Sequence, residues 1–142
     1  MNKKYKIGYT TGVYDMFHIG HLNLLRKAKE QCDYLIVGVT VDELVAYKNK
    51  EAVIPFKERI EIVKQISYVD EVVPQLNMNK MEAWRKLGFE AIFVGDDWKG
   101  TDTWNQFEAD FEQVGVHIEY LPYTKGTSST QLRQTLQVIN GR

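Results

Sequence analysis

Cysteine is almost absent from this sequence. Cys32 stands alone among 142 residues, so no disulfide can form within the chain and a thiolate zinc site would lack its other ligands. A lone thiol at the end of an apolar helix stripe reads as a small buried hydrophobe. Long apolar runs are missing too. The opening MNKKYKIGYTTG has no signal-peptide core, and no stretch approaches the roughly 18 apolar residues of a membrane span. A cytoplasmic protein with no membrane insertion is expected. Neither sign of charge is in excess: 18 Lys and Arg against 19 Asp and Glu leave a formal net charge of −1. That argues against nucleic acid as a partner, while a small phosphate ligand needs only a few local cations. With three prolines and no linker, repeat or low-complexity segment, one domain over 1–142 is expected. Two nucleotide fingerprints are also missing. There is no GxGxxG and no GK[ST] after a strand, so neither a dinucleotide fold of that type nor a P-loop is indicated.

What is present suits a packed core, with 44% hydrophobic and 26% charged residues. YKIGYTT, about residues 5–11, alternates apolar and polar positions before Gly12 and reads as a first strand. HLNLLRKAKEQC carries Leu22, Leu25, Ala28 and Cys32 at helical spacing. DYLIVGVT is a continuous apolar run, as expected of a strand covered on both faces. PFKERIEIVKQI opens on Pro55, suited to a first helical turn, and places Phe56, Ile60, Val63 and Ile66 on one side. VDEVVP, EAIFVG and VHIEYLP read as further strands. KMEAWRKLGF reads as a helix ending at Gly88, TDTWNQFEADFEQVG as a weaker one, and SSTQLRQTLQVI as a final helix with a Ser/Thr start.

The order is β-α-β-α-β-α-β-α-β-α. Such alternation predicts an α/β fold: a Rossmann-like, doubly wound sheet of about five parallel strands with helices on both faces. Sheets of this kind bind ligands beyond the carboxyl ends of their strands, where the strand order reverses. The loops at 10–20, 40–55, 95–102 and 122–129 are therefore the ones to inspect.

The first of these loops is YTTGVYDMFHIGH, residues 9–21. A helix beginning near Ile19 presents unpaired N–H groups and a partial positive charge to an anion. His18 and His21 sit at that turn, and Gly20 removes a side chain where a ligand must come close. Imidazoles can donate to phosphate oxygens and, as imidazolium, neutralise charge appearing on them. Two plainer readings compete. The histidines could simply cap the helix, or they could form a zinc pair, which would need a third ligand when the remaining His117 falls in a strand with no evident partner.

GVYDMFHIGH resembles the HxGH motif of the nucleotidylyltransferase superfamily, and the pattern Gly-x-(Phe/Tyr)-Asp-x-x-His-x-Gly-His is similar to its cytidylyltransferase branch. That branch includes enzymes for glycerol 3-phosphate, phosphocholine and phosphoethanolamine. TVDELVAYKNK, FKERIEIVKQISYVDEVVP, VGDDWKG and YTKGTSSTQLR resemble further segments of the family in the same order, and VGDDWKG is similar to the glycerol-3-phosphate enzymes in particular. The resemblance spans nearly the whole chain. It implies attack of a phosphomonoester oxygen on the α-phosphate of CTP with release of pyrophosphate, with no covalent intermediate and with a homodimer as the assembly.

Roles follow by the same resemblance. His18 and His21 would stabilise the α-phosphate and the leaving β-phosphate. Lys48, with Lys50 as a second candidate, would hold triphosphate and acceptor phosphate together; unaided, both lysines read as solvated loop charges. Asp15 would be a Mg²⁺ ligand through the phosphates or an orienting group, although it could equally cap the turn after Gly12. Gly12, Val13, Tyr14 and Gly20 would form the nucleotide loop. Arg59 would meet triphosphate or acceptor phosphate, and Asp70 the acceptor. Asp96 or Asp97 would read the base or support the site, with Trp98 as a wall; a plain Asp-Asp turn is the competing reading. Thr124, Gly126, Ser128, Ser129 and Thr130 would present hydroxyls and N–H groups to phosphate. Two positions depart from the family. Tyr123 and Ser67 stand where arginines are usual, each absence removing a charge-assisted contact of about 1.5–3 kcal/mol; Lys125 is the residue placed to compensate. The alternatives are another polyol or amino-alcohol phosphate as acceptor, ATP with a sugar phosphate or FMN, and a regulatory nucleotide-binding module without catalysis.

Overall fold

The computed structural model describes residues 3–47, 51–122 and 128–140. Lys48, Lys50, Tyr123, Thr124, Lys125 and Gly126 lie outside the described residues. In chain order the elements are β1 (Tyr5–Gly12), α1 (Ile19–Gln31), β2 (Cys32–Thr40), α2 (Asp42–Tyr47), α3 (Phe56–Lys64), β3 (Glu71–Gln75), α4 (Lys80–Leu87), β4 (Ala91–Gly95), one turn of 3-10 helix (Asp96–Trp98), α5 (Asp102–Glu112), β5 (His117–Leu121) and α6 (Ser129–Asn140). Every expected strand and helix forms. The short α2 and the 3-10 turn were not anticipated, because six- and three-residue segments carry too little periodicity to stand out from a loop.

The five strands are all parallel, in the order β3-β2-β1-β4-β5. Crossovers carry the chain outward from β1 through β2 to β3. It then returns past β1 to add β4 and β5 on the other side. The reversal lies between β1 and β4, whose register pairs Gly8 with Ala91 and Thr10 with Phe93. At their carboxyl ends the first connections leave in opposite directions and open a crevice.

Two cores explain the apolar pattern. On one face α1 and α3 pack Leu25, Ala28 and Val63 against Leu35, Val37 and Val39. On the other, α4 and α5 pack Met81, Trp84, Trp104 and Phe111 against Tyr9, Ile36 and Ile92. Alternate residues of β2 thus serve different cores. This is why its apolar run is continuous, with residues 35–40 all buried. Burying a side chain such as Phe111 contributes about 2–3 kcal/mol. Pro74 stands in β3, an edge strand, where a missing N–H is tolerated. Gly88 ends α4 in the left-handed conformation, φ 67°, as its sequence position predicts.

Candidate active site

A cleft of about 320 Å³ opens at this reversal. Its walls come from the end of β1 and the loop after it (Thr11–Asp15), the start of α1 (His18, Gly20, His21), Gly95 at the end of β4, and the start of α6 (Ser128–Thr130, Arg133). The sequence-expected Gly12, Val13, Tyr14, Asp15, His18, Gly20, His21, Ser128, Ser129 and Thr130 therefore meet around one space. Thr11, Gly95 and Arg133 join them without having been singled out.

The loop from β1 to α1 is tight, and Tyr14 and Met16 turn it with φ of 55° and 49°. Such angles are unfavourable for residues with a Cβ and persist only where surroundings fix them. Two contacts do so here. The Tyr14 ring is buried over Gly12, where a Cβ would sit 2.9 Å from Cζ; Gly12 is glycine because Tyr14 needs the room. Asp15, 1% exposed, accepts hydrogen bonds from the backbone N–H of Val53 (2.8 Å) and Ile54 (2.9 Å) and pairs with Arg133 Nη1 at 3.3 Å. Its carbonyl accepts from Ser129 Oγ at 2.5 Å.

His18 is the N-cap of α1. Its Nδ1 accepts from Gly20 N at 3.1 Å, and His21 Nδ1 accepts from His18 N at 3.2 Å. The two side chains do what serine and glutamate do in an ordinary capping box. Because each Nδ1 is an acceptor, each neutral ring carries its proton on Nε2. The rings stack with centroids 3.9 Å apart, and each offers an Nε2–H donor at the cleft. Burial lowers the pKa of His18. Burial, with a smaller contribution from His18, pushes that of His21 down to about 3, Asp15 opposing slightly. Both shifts favour the neutral rings, the donor form of the two that the sequence left open. Capping and ligand binding, set against each other as sequence readings, are compatible: Nδ1 caps while Nε2 serves the cleft.

Four expectations are corrected by geometry. Arg59 neither meets the cleft nor stands exposed on its helix; it is 1% exposed. Its guanidinium donates to the carbonyls of Ile54 (2.8 Å), Val13 (2.7 Å) and Thr40 (2.8 Å) and to Asp42 Oδ1 (2.5 Å). These contacts tie the ends of β1 and β2 to α2 and α3 and leave the fork engaged with protein. Asp70 lies at the amino end of β3, at the far end of the sheet from the cleft. It accepts from Leu35 N at 2.8 Å and Lys29 Nζ at 2.6 Å. Asp15 is turned to the protein and not to a substrate-borne metal. Both carboxylate oxygens take backbone N–H groups in a buried position, and Oδ2 also pairs with Arg133. Asp96, Asp97 and Trp98 form the 3-10 turn after Gly95 at the rim. All three are exposed, Trp98 by 50%, so it does not wall the cleft.

Arg133 is the charged residue of the cleft that sequence reasoning passed over. It stands four positions after Ser129, on the same side of α6. There it brings a guanidinium to the cleft beside the helix N-terminus, with Nη2 3.2 Å from Thr130 Oγ1. The signal was its spacing from the SST start.

Residues 9–135 match the cytidylyltransferase-like family, nearly the whole of this α/β unit. The chain belongs to the cytidylyltransferase-like family. Within it, the chain is 37% identical to a glycerol-3-phosphate cytidylyltransferase of Bacillus spizizenii, covering 89% of this chain and 94% of that one. It is 30% identical to an FAD synthase of Thermococcus sibiricus, covering 98% and 96%. The fold is shared with a lipopolysaccharide core biosynthesis protein of Thermoplasma volcanium, with a TM-score of 0.72 at 20% identity, covering 87% of this chain and 99% of that one.

Proposed function

We propose that this protein transfers the cytidylyl group of CTP to a small alcohol phosphate, glycerol 3-phosphate before others, releasing pyrophosphate. One observation carries the reaction type: two neutral imidazoles with Nε2–H donors, a helix N-terminus and Arg133 converge on one crevice. The choice of substrates is supported by the identity to the Bacillus spizizenii enzyme over nearly its full length.

In this reaction an oxygen of the acceptor phosphate forms a bond to the α-phosphorus. The bond to the β-phosphate oxygen breaks, and pyrophosphate leaves with the electron pair. The attacking oxygen is already anionic, so no general base is needed, and the protein contributes position and charge stabilisation. His18 and His21 donate from Nε2 to the α-phosphate and the departing β-phosphate. Neutral donors held by their own caps need no reorganisation as charge moves. Ser129, Thr130 and the amino end of α6 receive the triphosphate, and Arg133 turns to it from Asp15 as a planar double donor. At the rim, the Asp96 or Asp97 carboxylate suits the exocyclic amine of cytosine, a donor that a carboxylate accepts. A divalent cation implied by the family resemblance is assigned to the substrate phosphates, not to Asp15. A homodimer and a cytoplasmic setting belong to the same reading; among the described residues no helix is long and apolar enough to cross a membrane.

The test is pyrophosphate release from CTP or ATP with glycerol 3-phosphate, phosphoethanolamine, phosphocholine or FMN, with Mg²⁺ supplied. CTP with glycerol 3-phosphate is expected to turn over fastest. Faster release from ATP with FMN, or none from CTP with any alcohol phosphate, overturns the reading.

A further inference from the structure

The start of α6 serves the cleft, and the rest of the helix leaves the body. Leu132, Leu136 and Ile139 fall on one side of it at helical spacing. Their exposure climbs along the chain, from half-buried Leu132 to 38% at Leu136 and 56% at Ile139. Among the described residues, the hydrogen bonds that tie α6 to the rest of the chain both end on Asp15. Ser129 donates to its carbonyl and Arg133 to its carboxylate. The same carboxylate holds the backbone N–H groups of Val53 and Ile54. Asp15 is thus the vertex of a wedge, with α6 as one arm and the 51–54 segment as the other.

The gap between the arms is a hollow of about 980 Å³. Leu136 lines it on α6, and Ala46, Ala52 and Val53 line it opposite. Val53 is 45% exposed, so apolar surface on both arms meets water across one space. The remaining lining residues Glu51, Gln137 and Asn140 are exposed and polar, and can stay wetted around an apolar centre that shuts. Shutting it is favourable in proportion to the apolar area removed from water. The ion pair of Arg133 with Asp15 sets the angle at the vertex. Thr130 and Arg133 line the main cleft as well as the hollow, so the gap begins where the triphosphate would bind.

We propose that α6 swings onto Ala52 and Val53 when a nucleoside triphosphate takes Arg133 from Asp15. Leu136 is then a positioning residue. Seated on that apolar wall, it holds Ser129, Thr130 and Arg133 against the phosphates and touches no substrate itself. This rests on the transferase reading above, and it adds a closing step and the residue that secures it.

The experiment follows hydrogen exchange of the α6 amides with and without Mg²⁺ and whichever nucleotide of the panel the wild type turns over best, together with KM for that nucleotide. In wild type, saturating nucleotide should slow exchange over 134–140 by ten-fold or more. Leu136→Gln keeps helix propensity and net charge while removing the apolar contact. It should lose most of that slowing at saturating nucleotide, raise the nucleotide KM roughly three- to ten-fold and leave the acceptor KM within about two-fold. Its melting without nucleotide should stay near wild type, because Leu136 is already partly in water. Leu136→Met, apolar and of similar volume, should restore the wild-type values. Val138→Gln, on the opposite side of α6 and 63% exposed, should change none of them. A wild type that neither binds nor turns over any nucleotide overturns the transferase reading, and the closure with it. An active wild type whose α6 exchange ignores nucleotide overturns the closure alone. So does a Leu136→Gln variant that keeps the slowing, or a Val138→Gln variant that loses it equally.

Discussion

Replacing Arg59 by methionine separates a structural arginine from a phosphate-binding one. Methionine keeps most of the volume and removes the fork. One buried carbonyl, of Thr40, and two half-buried ones, of Val13 and Ile54, then lose donors that sit 2.7–2.8 Å away. The ion pair with Asp42 adds little, since the Asp42 side chain is 46% exposed and exposed pairs are worth about 0–1 kcal/mol. The carbonyls dominate. Each buried acceptor left without a partner costs about 1–3 kcal/mol, some of it recovered by water, so a total of about 3–5 kcal/mol is expected. For a chain of this length each kcal/mol shifts Tm by roughly 3–5 °C, which gives a fall of roughly 10–20 °C. Far-UV circular dichroism during heating and urea titration measures it. Arg59→Lys should recover only part of the loss, because three donors on a flexible stem cannot reproduce a planar fork. A variant that melts within about 3 °C of wild type and instead needs far more CTP would refute the assignment and restore Arg59 as a phosphate ligand.

The depressed pKa of His21 sets a pH dependence. The unfolded ring binds a proton near pH 6.5 and the folded ring only near 3, so the unfolded state holds more protons across that window. Stability is fully present above pH 6.5 and is lost as pH falls toward 3, by a few kcal/mol in total. His21→Gln should flatten that part of the curve in urea melts from pH 7 to pH 4, and an unchanged slope would rule out the buried neutral ring. Asp15→Ala should accelerate hydrogen exchange at the amides of Val53 and Ile54 by ten-fold or more and leave the Mg²⁺ concentration for half-maximal activity unchanged. Unaltered exchange with a strongly raised Mg²⁺ requirement would make Asp15 a metal ligand after all.

The fold was legible because its signals are local and repeated. Five apolar runs of strand length alternate with amphipathic helices, and Gly88 and Pro74 mark positions that their backbone demands. The strand order was not legible, since parallel pairing is decided by long-range packing. At the site, the HxGH loop and the SST helix start could be read because each pairs a chemical group with a helix terminus. Charged side chains were read less well. Arg59, Asp70 and Asp15 look in sequence like surface or ligand charges, yet each is committed to backbone groups of a distant segment. Their partners are carbonyls and amides, present at every residue, so no residue type in the sequence announces them. Arg133 was missed for the converse reason. An arginine on a helix is ordinarily solvated, and only the fold brings this one to the end of β1.

Asp15 then explains how the two halves of the cleft are joined. No residue of α6 is buried, and Leu136, Val138 and Ile139 on it are well exposed. Apolar burial therefore does little to hold the helix against the sheet, while its amino end supplies Ser129, Thr130 and Arg133. Asp15 receives that end twice, through its carbonyl to Ser129 and its carboxylate to Arg133, and fixes the 53–54 loop through the same carboxylate. A phosphate that draws Arg133 away removes one of those ties and replaces it with contacts to the same helix. On the proposed function, the position of α6 is thereby linked to nucleotide occupancy through Asp15. This is why a carboxylate buried to 1% exposure stands three residues before His18.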